Sequence, residues 1–181
     1  MSRIAIPEFD SAPQASRPGL EAVKAQLGSL PNLFRLVSLS PAALSGFLGF
    51  SGALSKALDV KTRERIALAV AQVNGCDYCL SAHNYLGLNL AKLSPEEIAR
   101  NRQGGSLEQK ANAAVEFAAK VTRERGHVTE ADLAAVRAAG FTDAQIVEIV
   151  AIVAENCFTN FLNEVAKTAI DFPVVRANEA V

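Results

Sequence analysis

The sequence predicts an all-α fold, and three observations carry that prediction. Ala and Leu are plentiful, Trp is absent and aromatic residues make up only 6%, a composition that favours helices over sheet. Apolar residues recur three and four positions apart in segment after segment, and no segment alternates convincingly with period two. Pro, Gly and small capping residues fall at the ends of those segments. The 181 residues, half of them hydrophobic and a fifth charged, suit one domain with a sizeable core.

In chain order, residues 1–17 contain Pro7 and Pro13 and read as an extended arm. Pro18 opens a short helix that stops at Gly28, and Pro31 opens a second that halts before Pro41. Residues 41–58 show helical spacing through Leu44, Phe47, Leu48, Ser51 and Leu54. Gly46, Gly49 and Gly52 lie three apart on that helix and read as a close-packing stripe. Residues 61–73 are strongly helical, with Ile66, Val70 and Val73 on one face, and Asn74-Gly75 is a C-terminal stop. A further helix runs from Cys76 to about Leu90. Ser94-Pro95-Glu96-Glu97 marks another start, with a capping Ser, Pro in the first turn and acids behind it. Residues 106–124 form a helix with Ala113, Phe117, Ala118 and Val121 inward, broken at Gly126. Thr129 and Asp132 are spaced for reciprocal capping of the next helix, which Gly140 ends. Thr142 caps a last long helix, from Asp143 towards Lys167, that is apolar on most sides and so is expected in the core or an oligomer interface. The organisation is an arm with a short helix over residues 1–29, a helical domain over 30–173 and an irregular tail over 174–181. A shift of 81 places Cys76 on Cys157, Cys79 on Asn160 and His83 on Glu164, a faint sign of two related halves.

Several function classes are disfavoured. A net charge of -1 gives no electrostatic case for nucleic acid or an anionic membrane. The N-terminal stretch lacks the apolar core of a signal peptide. The most apolar run, I-V-E-I-V-A-I-V-A, is interrupted by Glu148, closed by Glu155 and reads as too short to span a bilayer. Three cysteines make no disulfide framework and fit a cytoplasmic location.

The chemistry gathers between Glu64 and His83. Cys76 and Cys79 form a C-x-x-C pair, and His83 follows one helical turn later, so the three fall on one helix stripe. Cys76 lies just after the Asn74-Gly75 stop, near a helix N-terminus, where free N–H groups and the helix dipole lower a thiol pKa. On one continuous helix Glu64 and His83 would be about 28 Å apart. If the chain reverses at Asn74-Gly75, they stand about 16 Å and 12 Å from the turn, at similar heights on antiparallel helices. The helix hairpin therefore brings the Glu64 carboxylate to the His83 imidazole. Glu64 then orients His83, His83 activates Cys79, and Cys76 closes a disulfide. Zinc is a competing use of Cys76, Cys79 and His83, with Cys157 as the remaining soft ligand, but no second C-x-x-C or H-x-x-x-H accompanies them. Haem attachment would need His at position 80, which is Leu. Cys157 itself reads as a buried small hydrophobe and His127 as an exposed loop residue.

The spacing E-x11-C-x-x-C-x3-H resembles the signature of the AhpD-like alkylhydroperoxidases of the carboxymuconolactone decarboxylase superfamily. Further stretches resemble its peroxidase-related branch: L-P-N-L-F-R at 30–35, R-E-R-I-A-L-A-V-A at 63–71, A-G-F-T-D-A-Q-I-V-E-I-V-A at 139–151, T-N-F-L-N-E-V-A-K-T at 159–168 and D-F-P at 171–173. The resemblance implies an AhpD-like all-helical domain assembled as a trimer or hexamer. It implies reduction of a hydroperoxide at the expense of a dithiol reductant, with neither cofactor nor metal. Cys79 would attack the peroxide, Cys76 would resolve the sulfenic acid to a disulfide, and His83 and Glu64 would relay protons. Tyr78 stands where the best-known peroxidases of the family carry a further histidine. Two alternatives accompany this reading. One is a decarboxylase- or isomerase-like activity with His83 and Glu64 as acid and base, although the decarboxylase branch generally lacks the C-x-x-C pair. The other is a helical oligomer whose Cys/His cluster binds zinc or senses oxidants.

Overall fold

A computed structural model describes residues 2–178. Among these, helices account for all regular structure: α1 (Arg17–Leu27), α2 (Asn32–Val37), α3 (Pro41–Leu54), α4 (Val60–Asn74), α5 (Asp77–Asn89), α6 (Pro95–Arg102), α7 (Gln109–Arg123), α8 (Glu130–Ala138) and α9 (Asp143–Ala166), with two short 3-10 turns at Phe9–Ser11 and Gln14–Ser16. Those turns replace the extended arm expected before residue 17.

The caps explain why the elements begin where they do. Ser40, Asp59, Ser94, Thr129 and Thr142 each accept a backbone N–H from the first turn of the following helix, and Thr129 and Thr142 form reciprocal boxes with Asp132 and Gln145. Two boundaries differ from the periodicity. α3 stops at Leu54 rather than Leu58, because Asp59 caps α4 and the Arg63 guanidinium binds the carbonyls of Ser55 and Leu58 in the intervening turn. α7 starts at Gln109 rather than Ser106, because the N–H groups of Ser106 and Leu107 go to the Asn112 and Glu97 side chains. The inward residues of its first half are accordingly Ala111, Ala114 and Val115, with Ala113 half-buried.

α4 is the central helix. It packs against α5, α6, α7 and α9, and its residues Ile66 to Ala71 are buried on every side. One core joins Ile66 and Val70 of α4 to Phe117, Ala118, Val136, Ile149 and Ile152 of α7, α8 and α9. A second lies under the α4–α5 turn, around Leu68, Cys76, Cys79, Leu80 and Ile98. A third seats α1 and α2 on α3 through Leu20, Val37 and Leu44. Across the centre Arg65 donates to Glu97 at 2.7 Å, a pair with both side chains under a tenth exposed.

Three expectations about single elements are corrected. A Cβ at Gly46, Gly49 or Gly52 would meet nothing within 4 Å, so the stripe packs against no other part of this chain. α9 has 24 residues and is long and apolar enough, by length and composition, to cross a membrane. Its buried stripe nevertheless carries Asn156, Thr159, Asn160 and Asn163, and it packs on α3, α4, α5 and α7 as a core helix. The shift of 81 has no structural counterpart either: it aligns the Gly75 turn with Asn156, in the middle of unbroken α9. The tail is irregular as expected, but it is strapped down. Ala177 N–H donates to Asp77, Gln72 donates to the Ala177 carbonyl, and Val175 exchanges hydrogen bonds with Ser81. Residues 179–181 of the 174–181 tail lie outside the described residues.

Candidate active site

The α4–α5 hairpin forms where Asn74-Gly75 stops α4. Gly75 sits at φ +67°, in the left-handed region that glycine enters without steric cost, and its N–H and that of Cys76 return to the last α4 carbonyls. The chain reverses within two residues, and Cys76 becomes the N-cap of α5, outside the helix proper rather than on its stripe. Its sulfur accepts the backbone N–H of Cys79 at 3.4 Å, the bond that an N-cap Ser would make.

The hairpin brings Glu64 and His83 together across nineteen residues. His83 Nδ1 donates to Glu64 Oε2 at 2.8 Å, with the two side chains 21% and 12% exposed. This fixes the tautomer and leaves Nε2 as the nitrogen able to exchange a proton. Burial alone would lower the His83 pKa. The adjacent Glu64, by charge and hydrogen bond, outweighs burial and raises it, with smaller help from Cys79 and Glu155.

The two thiols are reduced and unlike. A hydrogen bond shared with Cys79, followed by burial, pushes the Cys76 thiol far up, so it stays protonated. The same bond, with Cys76 donating, holds Cys79 down at about 7 against the cost of its own burial. The His83 charge and the amides of Asn163 and Asn160 add to that effect. Asn163 Nδ2 donates to Cys79 Sγ at 3.3 Å.

Cys79, His83 and Glu64 line a cavity of about 430 Å³ between α1, α2, α3, α4, α5, α9 and the C-terminal strap. Its walls are mostly apolar, with Phe34, Phe47, Leu86, Ile152 and Phe172 among them, and Glu155 supplies a second carboxylate. Cys76 does not line it. The volume is that of a small organic ligand's pocket. Among the described residues no group of three His, Cys, Asp or Glu side chains is arranged to hold a metal ion. Cys157 is half-buried and accepts from Asn74 Nδ2 at 3.5 Å, and His127 is exposed.

Tyr78, between the cysteines, has a structural task. Its hydroxyl accepts the Leu33 N–H at 3.1 Å and donates to Asp171 at 2.8 Å, while Phe172 packs edge-on against its ring. Burial raises its pKa, and the phenol pins α2 and the strap to the cavity rim. The sequence reading missed Asn160, Asn163 and Asp171. Their signal was present: amides three apart on a mostly apolar helix face, and an acid beside the aromatic Phe172.

Residues 41–124 match the model of the carboxymuconolactone decarboxylase family. An uncharacterised peroxidase-related protein with an alkylhydroperoxidase AhpD core, from Ralstonia eutropha, superposes with a TM-score of 0.83 at 27% identity, over 94% of this chain and 92% of its own. A peroxidase-related protein from a Silicibacter species gives 0.80 at 25% identity, over 93% and 91%. The debrominase Bmp8, in complex with 2,3,4-tribromopyrrole, shares the fold at 19% identity, with a TM-score of 0.78 over 94% of each chain. No curated protein matches the chain in sequence. The resemblance read from the sequence holds: over residues 41–124 the chain carries the sequence pattern of the carboxymuconolactone decarboxylase family, in the all-helical fold of the AhpD-like peroxidase-related proteins.

Proposed function

We propose that this protein is a dithiol peroxidase that reduces an organic hydroperoxide. One observation carries the reading: of the two thiols only Cys79 lines the cavity, and it is the one held near neutrality beside His83, whose pKa Glu64 raises, with the protonated Cys76 immediately behind it. The Cys79 thiolate attacks the terminal oxygen of ROOH. The O–O bond breaks, two electrons leave sulfur, and the departing alkoxide takes the His83 Nε2 proton as ROH. Cys76–SH then displaces the oxygen from Cys79–SOH, giving the Cys76–Cys79 disulfide and water. A dithiol reductant returns two electrons and two protons, and the Cys79 proton passes back to His83. Glu64 keeps the imidazole oriented and basic throughout. Assembly as a homo-oligomer belongs to the same proposal, supported by an exposed apolar stripe on α9.

The test is hydroperoxide consumption with a panel of dithiol reductants. Cys79→Ser is expected to abolish it, and Cys76→Ser to leave a sulfenic acid on Cys79 that dimedone traps. Persistence of both thiols after stoichiometric hydroperoxide would refute the reading. The Glu64–His83 pair and the family match over residues 41–124 favour a second reading, acid–base decarboxylation or isomerisation. Under it, Cys79→Ser retains turnover and His83→Ala loses it.

A further inference from the structure

α9 buries three amides, Asn156, Asn160 and Asn163, at exposures of 6%, 0% and 2%, on a face whose one other buried polar residue is Thr159. Burying an amide is unfavourable unless its donors and acceptors are paired. Asn156 is paired, donating to the Ile152 carbonyl one turn back. Asn160 and Asn163 are each only half paired. Asn74 Nδ2, from the last residue of α4, donates to Asn160 Oδ1 at 2.9 Å and so fixes which way that amide faces. Asn160 Nδ2 is left without a partner, in an amide close enough to Cys79 to act on its thiol. Asn163 Nδ2 donates to Cys79 Sγ at 3.3 Å, and its Oδ1 is left without a partner. One buried donor and one buried acceptor therefore stand open beside the same sulfur.

A thiol has little use for both, whereas a sulfenic acid has. Its oxygen accepts one hydrogen bond and its O–H donates another. We propose that Asn160 and Asn163 form an amide cradle that holds the Cys79 sulfur as a thiolate and then receives the oxygen of Cys79–SOH. Asn163 supplies the hydrogen bond to the thiolate. Once ROOH has delivered its terminal oxygen and left as ROH, Asn160 Nδ2 donates to that oxygen and the S–O–H proton goes to Asn163 Oδ1. The cradle holds the intermediate until Cys76 closes the disulfide. The first half rests only on the observed amide–sulfur bond. The second half rests on the peroxidase reading above.

Two measurements separate these. The first needs no peroxide: the rate of iodoacetamide alkylation at Cys79 is followed against pH by mass spectrometry, in the full chain and in Asn163→Leu. Loss of a hydrogen bond to the thiolate is expected to raise the midpoint by about one unit or more, that is about tenfold less thiolate below neutrality. The second uses a Cys76→Ser background treated with one equivalent of cumene hydroperoxide. There Asn160→Leu and Asn163→Leu are each expected to shorten the dimedone-reactive lifetime of Cys79 severalfold, in favour of over-oxidation. A drop in thermal stability with both the midpoint and the lifetime unchanged overturns the cradle, because a purely structural role moves neither. If Asn163→Leu does not fold, Asn163→Ala replaces it. Loss of the amide must again push the midpoint up, and an unchanged midpoint overturns the cradle. If the midpoint shifts but the native chain consumes no hydroperoxide, the peroxidase reading falls and the thiolate half of the cradle stands.

Discussion

At the residue scale, two cysteines three positions apart differ because one donates the hydrogen bond they share and the other receives it. Cys76, turned into the core as the N-cap of α5, keeps its proton, while Cys79 faces the cavity and His83. Alkylation of Cys79 is therefore expected to rise with a midpoint of about 7, with Cys76 unreactive over the same range. Glu64→Gln removes the charge that raises the His83 pKa. It should lower the pKa of His83, raise that of Cys79 and slow alkylation at pH 7, and an unshifted profile would remove Glu64 from the relay. The stability linkage runs in opposite directions for the two groups. His83 is raised, so its contribution is full below its ordinary value of about 6.5 and is lost as pH rises through the folded value. Cys79 is lowered, so its contribution is present above its ordinary value and is lost as pH falls through about 7. Denaturant midpoints of the native chain and Glu64→Gln, taken at pH 6 and again above the folded pKa of His83, should therefore differ more at the lower pH.

At the scale of elements, the hairpin of α4 and α5 is the device that makes the site. It depends on Gly75 in the left-handed region, where an added Cβ meets open space, so the cost of replacing it is conformational rather than steric. Gly75→Ala is expected to destabilise the protein by about 1–2 kcal/mol in urea unfolding. Gly75→Asn should cost less, because Asn tolerates that region. α4 is also anchored from its far side by the buried Arg65–Glu97 pair, where Ser106, Asn101 and the Leu107 N–H saturate the carboxylate. Glu97→Ala would leave the Arg65 guanidinium with the half-exposed Glu108 alone, at 3.0 Å, and would strip the buried Asn101 and Ser106 donors of their acceptor, so a loss of about 1–3 kcal/mol in unfolding free energy is expected. A loss below about 1 kcal/mol would mean that water reaches Arg65.

At the scale of the molecule, α9 serves two faces. Its inner stripe carries the amides and packs against α3, α4, α5 and α7. Its outer stripe leaves Val147, Val150, Phe158, Phe161 and Val165 exposed at helical spacing, with Phe161 58% and Val165 64% accessible. Such a contiguous apolar face is what an interface between copies requires. Phe161→Glu is therefore expected to shift the mass measured by sedimentation towards the monomer while the helical circular dichroism is retained. An unchanged mass would remove α9 from the interface.

The sequence by itself determined the helical class, most helix starts and stops, and the set Glu64, Cys76, Cys79 and His83. These features are local. Capping side chains, glycine stops and apolar periodicity act over a few residues, and one Asn-Gly turn sufficed to pair residues nineteen apart. Only the tertiary structure decided how those residues are used. Both thiols are buried, and which of them lines the cavity depends on how α5 meets α9 and the strap. The amide of Asn163, more than eighty residues along the chain from Cys79, reaches its sulfur only because α9 packs across the hairpin. Tyr78 became a peg rather than a relay member because Leu33 and Asp171, distant on either side, converge on its hydroxyl. Periodicity records which face of a helix is apolar but not which helix will cover it, and the electrostatics of a thiol are set by what covers it.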